Sequence, residues 1–507
     1  MTTAAVQELV RGDDTPGTAP TVDGDRACAS RAHPRVLVGI ANFGVKNRAY
    51  LDRLIAEYRA MPFDVDIHLF SEKEKDYPDD VHAHVGLPIP DPWSLPFAHR
   101  RFFADNVAHY DLFIYSEDDT LIEVRHIDAF MEASRTLAAD LVPGFIRYEE
   151  HEDGRRSYPD IHGAYRWIGD SVARTGPYTH ARLSNDHSAC YLLTRSQLQS
   201  AIASGGYLVA PHTGRYDMLC SAGTDPYTQC GLSRVICISH LEDFEIHHLP
   251  DAYVKGNGMI NKDCAVLDRE GLLSQIEALR GIATGGLRKE QLFATEKALA
   301  TQRWDKSYYE PHDDALLELI PASANTVLSI GCGAGHNEAR LQSLGKQVTA
   351  VPLDAVIGCM AQRSGIRVMA PDLDAALGRL DGNRFDAILL AGVVQHLADP
   401  VALLSRLSRL LEPTGVIVGS APNLGRLRRW SARLFGKNPR GYRFPDAWQT
   451  SGLRLTSAGV LARWLKRGGL RPLRTTPAGG DARRPTSPLR GLIAPSIYFS
   501  AGRTPGE

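Results

Sequence analysis

The stretch Thr326-Val327-Leu328-Ser329-Ile330-Gly331-Cys332-Gly333-Ala334-Gly335 decides the fold of the second half of the chain. Its apolar run has the length and composition of a buried strand, and it breaks into three glycines within five residues before a helical pattern begins. Glycine at such a break lets the backbone turn sharply and approach a ligand that a Cβ would exclude.

Downstream, the alternation continues through Val348-Thr349-Ala350-Val351, Phe385-Asp386-Ala387-Ile388-Leu389-Leu390 and Val416-Ile417-Val418-Gly419. This pattern predicts a parallel, doubly wound α/β sheet with its ligand at the carboxyl ends of the strands. The glycine loop, the second strand, the run from Phe385 to Gln395-His396-Leu397-Ala398-Asp399-Pro400 and the turn Pro413-Thr414-Gly415 resemble class I S-adenosylmethionine-dependent methyltransferases, over about residues 304–473. The resemblance implies a Rossmann-like fold with S-adenosylmethionine as cofactor. It implies Gly331, Gly333, Gly335, Asp354 and Asp372 as cofactor contacts, His396 beside the transfer site, and Trp304 to Tyr309 as a cover.

The departures from that pattern concern charge. The acid usual two residues before the first glycine is Ser329, the carboxylate expected at the end of the second strand is Pro352 with Asp354 two residues on, and Gln395 replaces a common Glu. A missing charged hydrogen bond to ribose is worth about 1.5 to 3 kcal/mol. Two readings follow, an active methyltransferase or a scaffold that kept the fold without the cofactor.

Before this module, Val36-Leu37-Val38-Gly39-Ile40, Val65-Asp66-Ile67-His68-Leu69-Phe70 and Asp111-Leu112-Phe113-Ile114-Tyr115 read as strands of another α/β domain. The third closes on Ser116-Glu117-Asp118-Asp119. Adjacent carboxylates repel, so a buried cluster calls for a cation, whereas an exposed one is a solvated turn. The strand and acidic motif resemble GT-A glycosyltransferases, by element order over residues 35–260. That resemblance implies a divalent metal (Mn or Mg) on Glu117, Asp119 and a late histidine, His248 in preference to His247. It also implies a nucleotide-sugar donor on Glu117, Asp118 and Asp119, flanked by Phe43 and Gly44, with Arg100 and Arg101 toward phosphate. Thr224-Asp225-Pro226-Tyr227 reads as a helix start capped by Asp225; the resemblance makes Asp225 the general base, with Asp186, Asp217 and Glu149 as competitors. The acceptor is a glycan, a lipid-linked molecule or a natural product, and nucleotidyl transfer is the rival reaction.

These spans predict a tail at 1–33, a GT-A-like domain at 34–262, a helical linker at 263–303, a methyltransferase-like domain at 304–475 and a loose tail at 476–507. The net charge of -2 gives no pull toward nucleic acid. The eight cysteines show no C-x-x-C pair, and with no signal-like or spanning segment the expected location is cytoplasmic. Residues 421–507 nonetheless hold 17 Lys/Arg against 3 Asp/Glu, with Leu424, Leu427, Trp430, Leu434 and Phe435 at helical spacing. That basic amphipathic pattern suits either packing on its own domain or peripheral contact with an anionic membrane.

Overall fold

Val36, Leu37, Val38 and Ile40 are fully buried because they form the central strand of the first sheet. The computed structural model describes residues 33–160, 166–187, 189–256, 265–295, 304–424, 448–478 and 494–504. In the N-terminal half the elements used below are β1 (Arg35–Asn42), α1 (Arg48–Ala60), β2 (Asp64–Ser71), β3 (His82–Val85), β4 (Leu112–Glu117) and β5 (Thr120–Leu121). They continue with β6 (Ile146–Glu150), β7 (Arg156–Asp160), β8 (Cys190–Thr194), α2 (Met218–Thr228), β9 (Glu245–His248), β10 (Ala265–Asp268) and α3 (Arg269–Ala283).

One five-stranded sheet runs β8-β4-β1-β2-β3, parallel except for β8. Leu51, Leu54, Ile55 and Tyr58 of α1 recur at helical spacing and are buried with that sheet's apolar residues in one core. Each contributes about 1.5 to 3 kcal/mol by leaving water. Chain order reverses at β1, so Asn42 and Glu117 end side by side at a switch point. A second sheet runs β10-β7-β6-β9-β5 and carries His248 opposite Thr120.

The first part of the predicted linker belongs to this half. Residues 265–268 are a strand paired with β7. Leu272, Ile276 and Leu279 of α3 are buried in a cluster with Ile146, Tyr158, Trp167 and Leu183. A helix with so complete an apolar stripe packs instead of bridging solvent.

The C-terminal half contains β11 (Thr326–Cys332), α4 (His336–Ser343), β12 (Gln347–Pro352), α5 (Ala355–Arg363), β13 (Arg367–Val368), α6 (Leu373–Arg379) and β14 (Phe385–Ala391). It ends with α7 (Pro400–Arg409), β15 (Leu411–Pro422), α8 (Ala458–Arg467), β16 (Leu470–Pro477) and β17 (Ser496–Arg503). The seven strands lie in the order β13-β12-β11-β14-β15-β17-β16, with β17 antiparallel to both neighbours. Four of them, β12, β11, β14 and β15, are the strands of the predicted parallel sheet, and β13 adds a short parallel strand at its edge that the sequence pattern does not mark. The predicted loose tail, by contrast, contains β17, whose Ile497, Phe499 and Ala501 are buried. Its apolar text was outweighed by the prolines before it; Pro485 and Pro488, like the 1–32 segment and the basic pattern beyond Leu424, lie outside the described residues. Among the described residues no helix is long and apolar enough to cross a membrane.

The two halves meet along α3 and α5. Val356 joins the apolar cluster of α3, Arg363 pairs with Asp268 at 3.3 Å and Glu270 at 2.9 Å, and Gln275 donates to the Tyr309 hydroxyl at 2.6 Å.

Candidate functional sites at the two switch points

At the C-terminal switch point, the glycine turn follows β11 and Ala391-Gly392 follows β14. Gly331 and Gly335 have φ of +78° and +90°, a region that side chains with a Cβ avoid. Gly333 is glycine for another reason: a Cβ there would lie 2.1 Å from the Tyr308 carbonyl oxygen, which accepts from Ala334 N at 2.8 Å. The 304–310 segment therefore packs directly on the loop. Lys306, almost wholly buried, donates to the Ala391 carbonyl at 2.7 Å and pairs with Glu310.

The acid absent at Ser329 reaches the same place from α4. Ser329 Oγ donates to Glu338 Oε1 at 2.5 Å, and burial pushes this carboxyl above its ordinary value. Pro352 supplies no carboxylate at the end of β12. Asp354 is buried, and its Oδ1 accepts from Ile357 N at 2.8 Å as the cap of α5. Burial raises Asp354 as well. The Arg166 guanidinium, from the N-terminal half, lies 5.6 Å from the Tyr308 ring centre. Asp372 caps α6 through Ala375 N at 2.9 Å and pairs with Arg288 at 2.8 Å. His396 is buried, stacked on Phe293 at 5.4 Å, with Nε2 3.1 Å from the Gln395 amide nitrogen. An amide N–H donates, so that ring nitrogen accepts.

These residues suit an adenosyl cofactor. The acid of the glycine loop is replaced by Glu338, and Asp354 is a buried carboxylate two residues past the end of β12. Gln395 Oε1 is buried without a hydrogen-bond partner beside Gly392. Neither Glu338 nor Phe293 was foreseen from the sequence; the glutamate is legible only once α4 is known to fold back under β11.

At the N-terminal switch point, a cavity of about 290 Å³ is lined by Glu117, Asp118 and Asp119 with Asn47, Phe43, Trp93 and Leu219. Asp118 accepts from Asn42 Nδ2 at 2.6 Å and Asn47 Nδ2 at 2.7 Å. Burial, then the charge of Asp119, pushes Glu117 up to about 8 and Asp118 to about 6. Asp119 Oδ1 is buried with no hydrogen bond, and Asp119 Oδ2 lies 3.6 Å from His248 Nε2. His248 Nδ1 is held by Glu149 Oε1 at 2.6 Å. Burial lowers His248, but the carboxylates of Asp119 and Glu149 beside its ring carry it above its ordinary value.

Three expectations are corrected here. Among the described residues no group of three or more His, Cys, Asp or Glu side chains is arranged to hold a metal ion, so Glu117, Asp119 and His248 do not form the predicted triad. Asp119 and His248 alone face each other, a pair that fits a cation only if a ligand's oxygens complete the shell. Asp225 does not start a helix: Asp217 caps α2, and Asp225 lies in its interior, buried and bonded to Arg100 at 2.8 Å and His212 at 3.0 Å. Arg100, expected near phosphate, is neutralised by that bond and by the Tyr207, Ser221 and Ala222 carbonyls. Among the competitors, Glu149 is also spent, on His248 and on the Tyr253 and Val254 N–H groups.

Residues 311–462 match the family described as methionine biosynthesis protein MetW. A ubiquinone biosynthesis O-methyltransferase of Cereibacter sphaeroides is 30% identical over 158 residues, 29% of this chain and 53% of that protein. An uncharacterized methyltransferase of Mycobacterium bovis is 36% identical over 111 residues, 21% of this chain and 55% of that protein. The chain thus spans about half the length of the curated relatives it matches. Among solved structures, the CcbJ methyltransferase of Streptomyces caelestis shares 15% identity at a TM-score of 0.30, covering 39% of this chain and 93% of that one. The magnesium protoporphyrin IX methyltransferase of Synechocystis, solved with bound SAH, shares 17% at 0.28, covering 38% and 81%. Over residues 311–462 the C-terminal half of this chain is thus similar to S-adenosylmethionine-dependent methyltransferases.

Proposed function

We propose that the C-terminal domain transfers a methyl group from S-adenosylmethionine to a hydroxyl of a small acceptor. The sequence match over residues 311–462, whose relatives include O-methyltransferases, carries this reading, and the glycine turn at the switch point supports it. The bound cofactor supplies an electrophilic methyl group on sulfur, so the protein's part is chiefly alignment. Gly331 and Gly335 give the backbone its close approach. Asp354 would accept from the ribose hydroxyls, and Asp372, with Arg288, would border the adenine side. His396 takes the acceptor proton, once Phe293 lifts from its face. Calorimetry with S-adenosylmethionine and its demethylated product tests this; no binding at millimolar ligand would overturn it.

A second reading belongs to the N-terminal domain, where the cavity at Glu117, Asp118 and Asp119 favours it. In this reading the cavity holds a nucleotide sugar and the domain transfers the sugar to an acceptor hydroxyl. Asp119 and His248 would hold a divalent cation only together with the donor's phosphates, and such a cation would supply positive charge beside the diphosphate. Phe43, 54% exposed, and Trp93, 50% exposed, offer apolar faces to the base or sugar. A panel of nucleotide sugars with manganese, read by thermal shift, is expected to pick out one donor. Equal shifts for native protein and Asp119→Ala would count against it.

A further inference from the structure

The switch point of the C-terminal sheet is not built from the C-terminal half alone. Trp167, which opens a strand of the N-terminal half running to Thr175, shares one apolar cluster with Leu183, Leu272 and Ile276 of its own half and with Val356 of α5. Tyr309 packs against the same cluster. Arg166 precedes Trp167, Tyr308 precedes Tyr309, and Asp354 lies two residues before Val356, so the same packing draws these three polar side chains together.

The Arg166 backbone is pinned, its N–H donating to Ser184 Oγ at 3.2 Å and its carbonyl accepting from Ser184 N at 2.9 Å. From that anchor the guanidinium reaches to 5.6 Å from the centre of the Tyr308 ring. Arg166, Tyr308 and Asp354 are all buried. A carboxylate taken out of water needs donors or an opposite charge to offset its lost hydration. Asp354 has the Ile357 N–H, and the charge of Arg166 works against the rise that burial causes in this carboxyl. Arginine suits the place because it keeps its charge when buried, whereas a buried lysine readily gives it up. A protonated Asp354 would have one oxygen fewer to accept from ribose hydroxyls.

We propose that Arg166, a side chain of the N-terminal half, is a positioning residue for the cofactor site, holding Tyr308 and Asp354 of the C-terminal half ready for the ribose of S-adenosylmethionine. This role rests on the reading that the C-terminal half binds that cofactor. It makes the site complete only when both halves are joined, and gives the N-terminal half a part in methyl transfer that is separate from any chemistry at its own carboxylates.

The test is a double-mutant cycle on the full chain, with binding of S-adenosylmethionine read by calorimetry. Arg166→Gln is expected to bind about tenfold less tightly than the native protein, the loss of one charged interaction. In an Asp354→Asn background, which already lacks the charge that Arg166 serves, the same change is expected to cost less than about twofold. A merely structural loosening would cost as much in either background. Native binding with Arg166→Gln undiminished overturns the proposal alone, and so does a full tenfold loss that persists beside Asp354→Asn. No binding by the native protein overturns the methyl-transfer reading, and the role of Arg166 with it. If Arg166→Gln fails to fold by circular dichroism, Arg166→Lys decides: a point charge without the fork is expected to bind about threefold less tightly, and an affinity equal to native overturns the proposal.

Discussion

Replacing Asp354 by asparagine keeps an oxygen to cap Ile357 N and removes the carboxylate charge. Asp354→Asn should therefore bind S-adenosylmethionine about tenfold less tightly, one charged hydrogen bond's worth, by calorimetry. Equal binding would show that Asp354 does not hold the cofactor. Ser329→Ala acts on stability instead: Glu338 loses its hydroxyl donor in a buried place, at a cost of about 1 to 3 kcal/mol in urea unfolding. At this scale the sequence was read well for glycine, because a turn that needs positive φ at Gly331 and Gly335 is a local demand. It was read poorly for charge. Ser329 looked like a lost acid because its partner comes from a helix nine residues on, and Asp225 looked like a cap because Pro226 follows it. The bond from Arg100, 125 residues earlier, is not visible in any local pattern.

Strands and helices carry the acid sensitivity of the N-terminal half. His68 on β2 is held at about 4, by burial and then by neighbouring His84, and His126 at about 3, by burial and then Arg125. An unfolded imidazole takes its proton near 6.5, so below that pH the unfolded chain binds protons that the folded one refuses. These two groups therefore contribute stability that is present above pH 6.5 and is lost as pH falls toward 4 and 3. Glu117 and Asp118 act in the opposite direction, so a variant isolates the effect. Denaturation midpoints of His68→Asn should fall less between pH 7 and pH 5 than those of the native protein, and an identical fall would refute the assignment. Element type and order were legible wherever a short continuous apolar run marks a buried strand, as in β1 and β4, or burial repeats with a period of 3.6, as in α1. The misplaced pieces were β10, α3 and β17, each of which buries its apolar face against residues distant in sequence.

For the molecule as a whole, the contact of α3 with α5 joins two halves that the sequence treats as separate modules. The exposed pairs from Arg363 to Asp268 and Glu270 add little, since such pairs are worth about 0 to 1 kcal/mol. The apolar contact of Val356 should matter more. Val356→Asp places a charge in that cluster, and calorimetric unfolding is expected to separate into two transitions where the native chain gives one. A single unchanged transition would mean the halves do not depend on this contact.

The position of β17 has a consequence for the time course of folding. This strand lies between β15 and β16, both of which precede it in the chain. β16 therefore has no sheet neighbour to pair with until residues 496–503 have left the ribosome, and β15 presents an open edge for the same interval. The half of the sheet around the glycine turn can form early, from near neighbours. The other half waits, and during that wait the nascent chain is most exposed to pairing with the wrong strand.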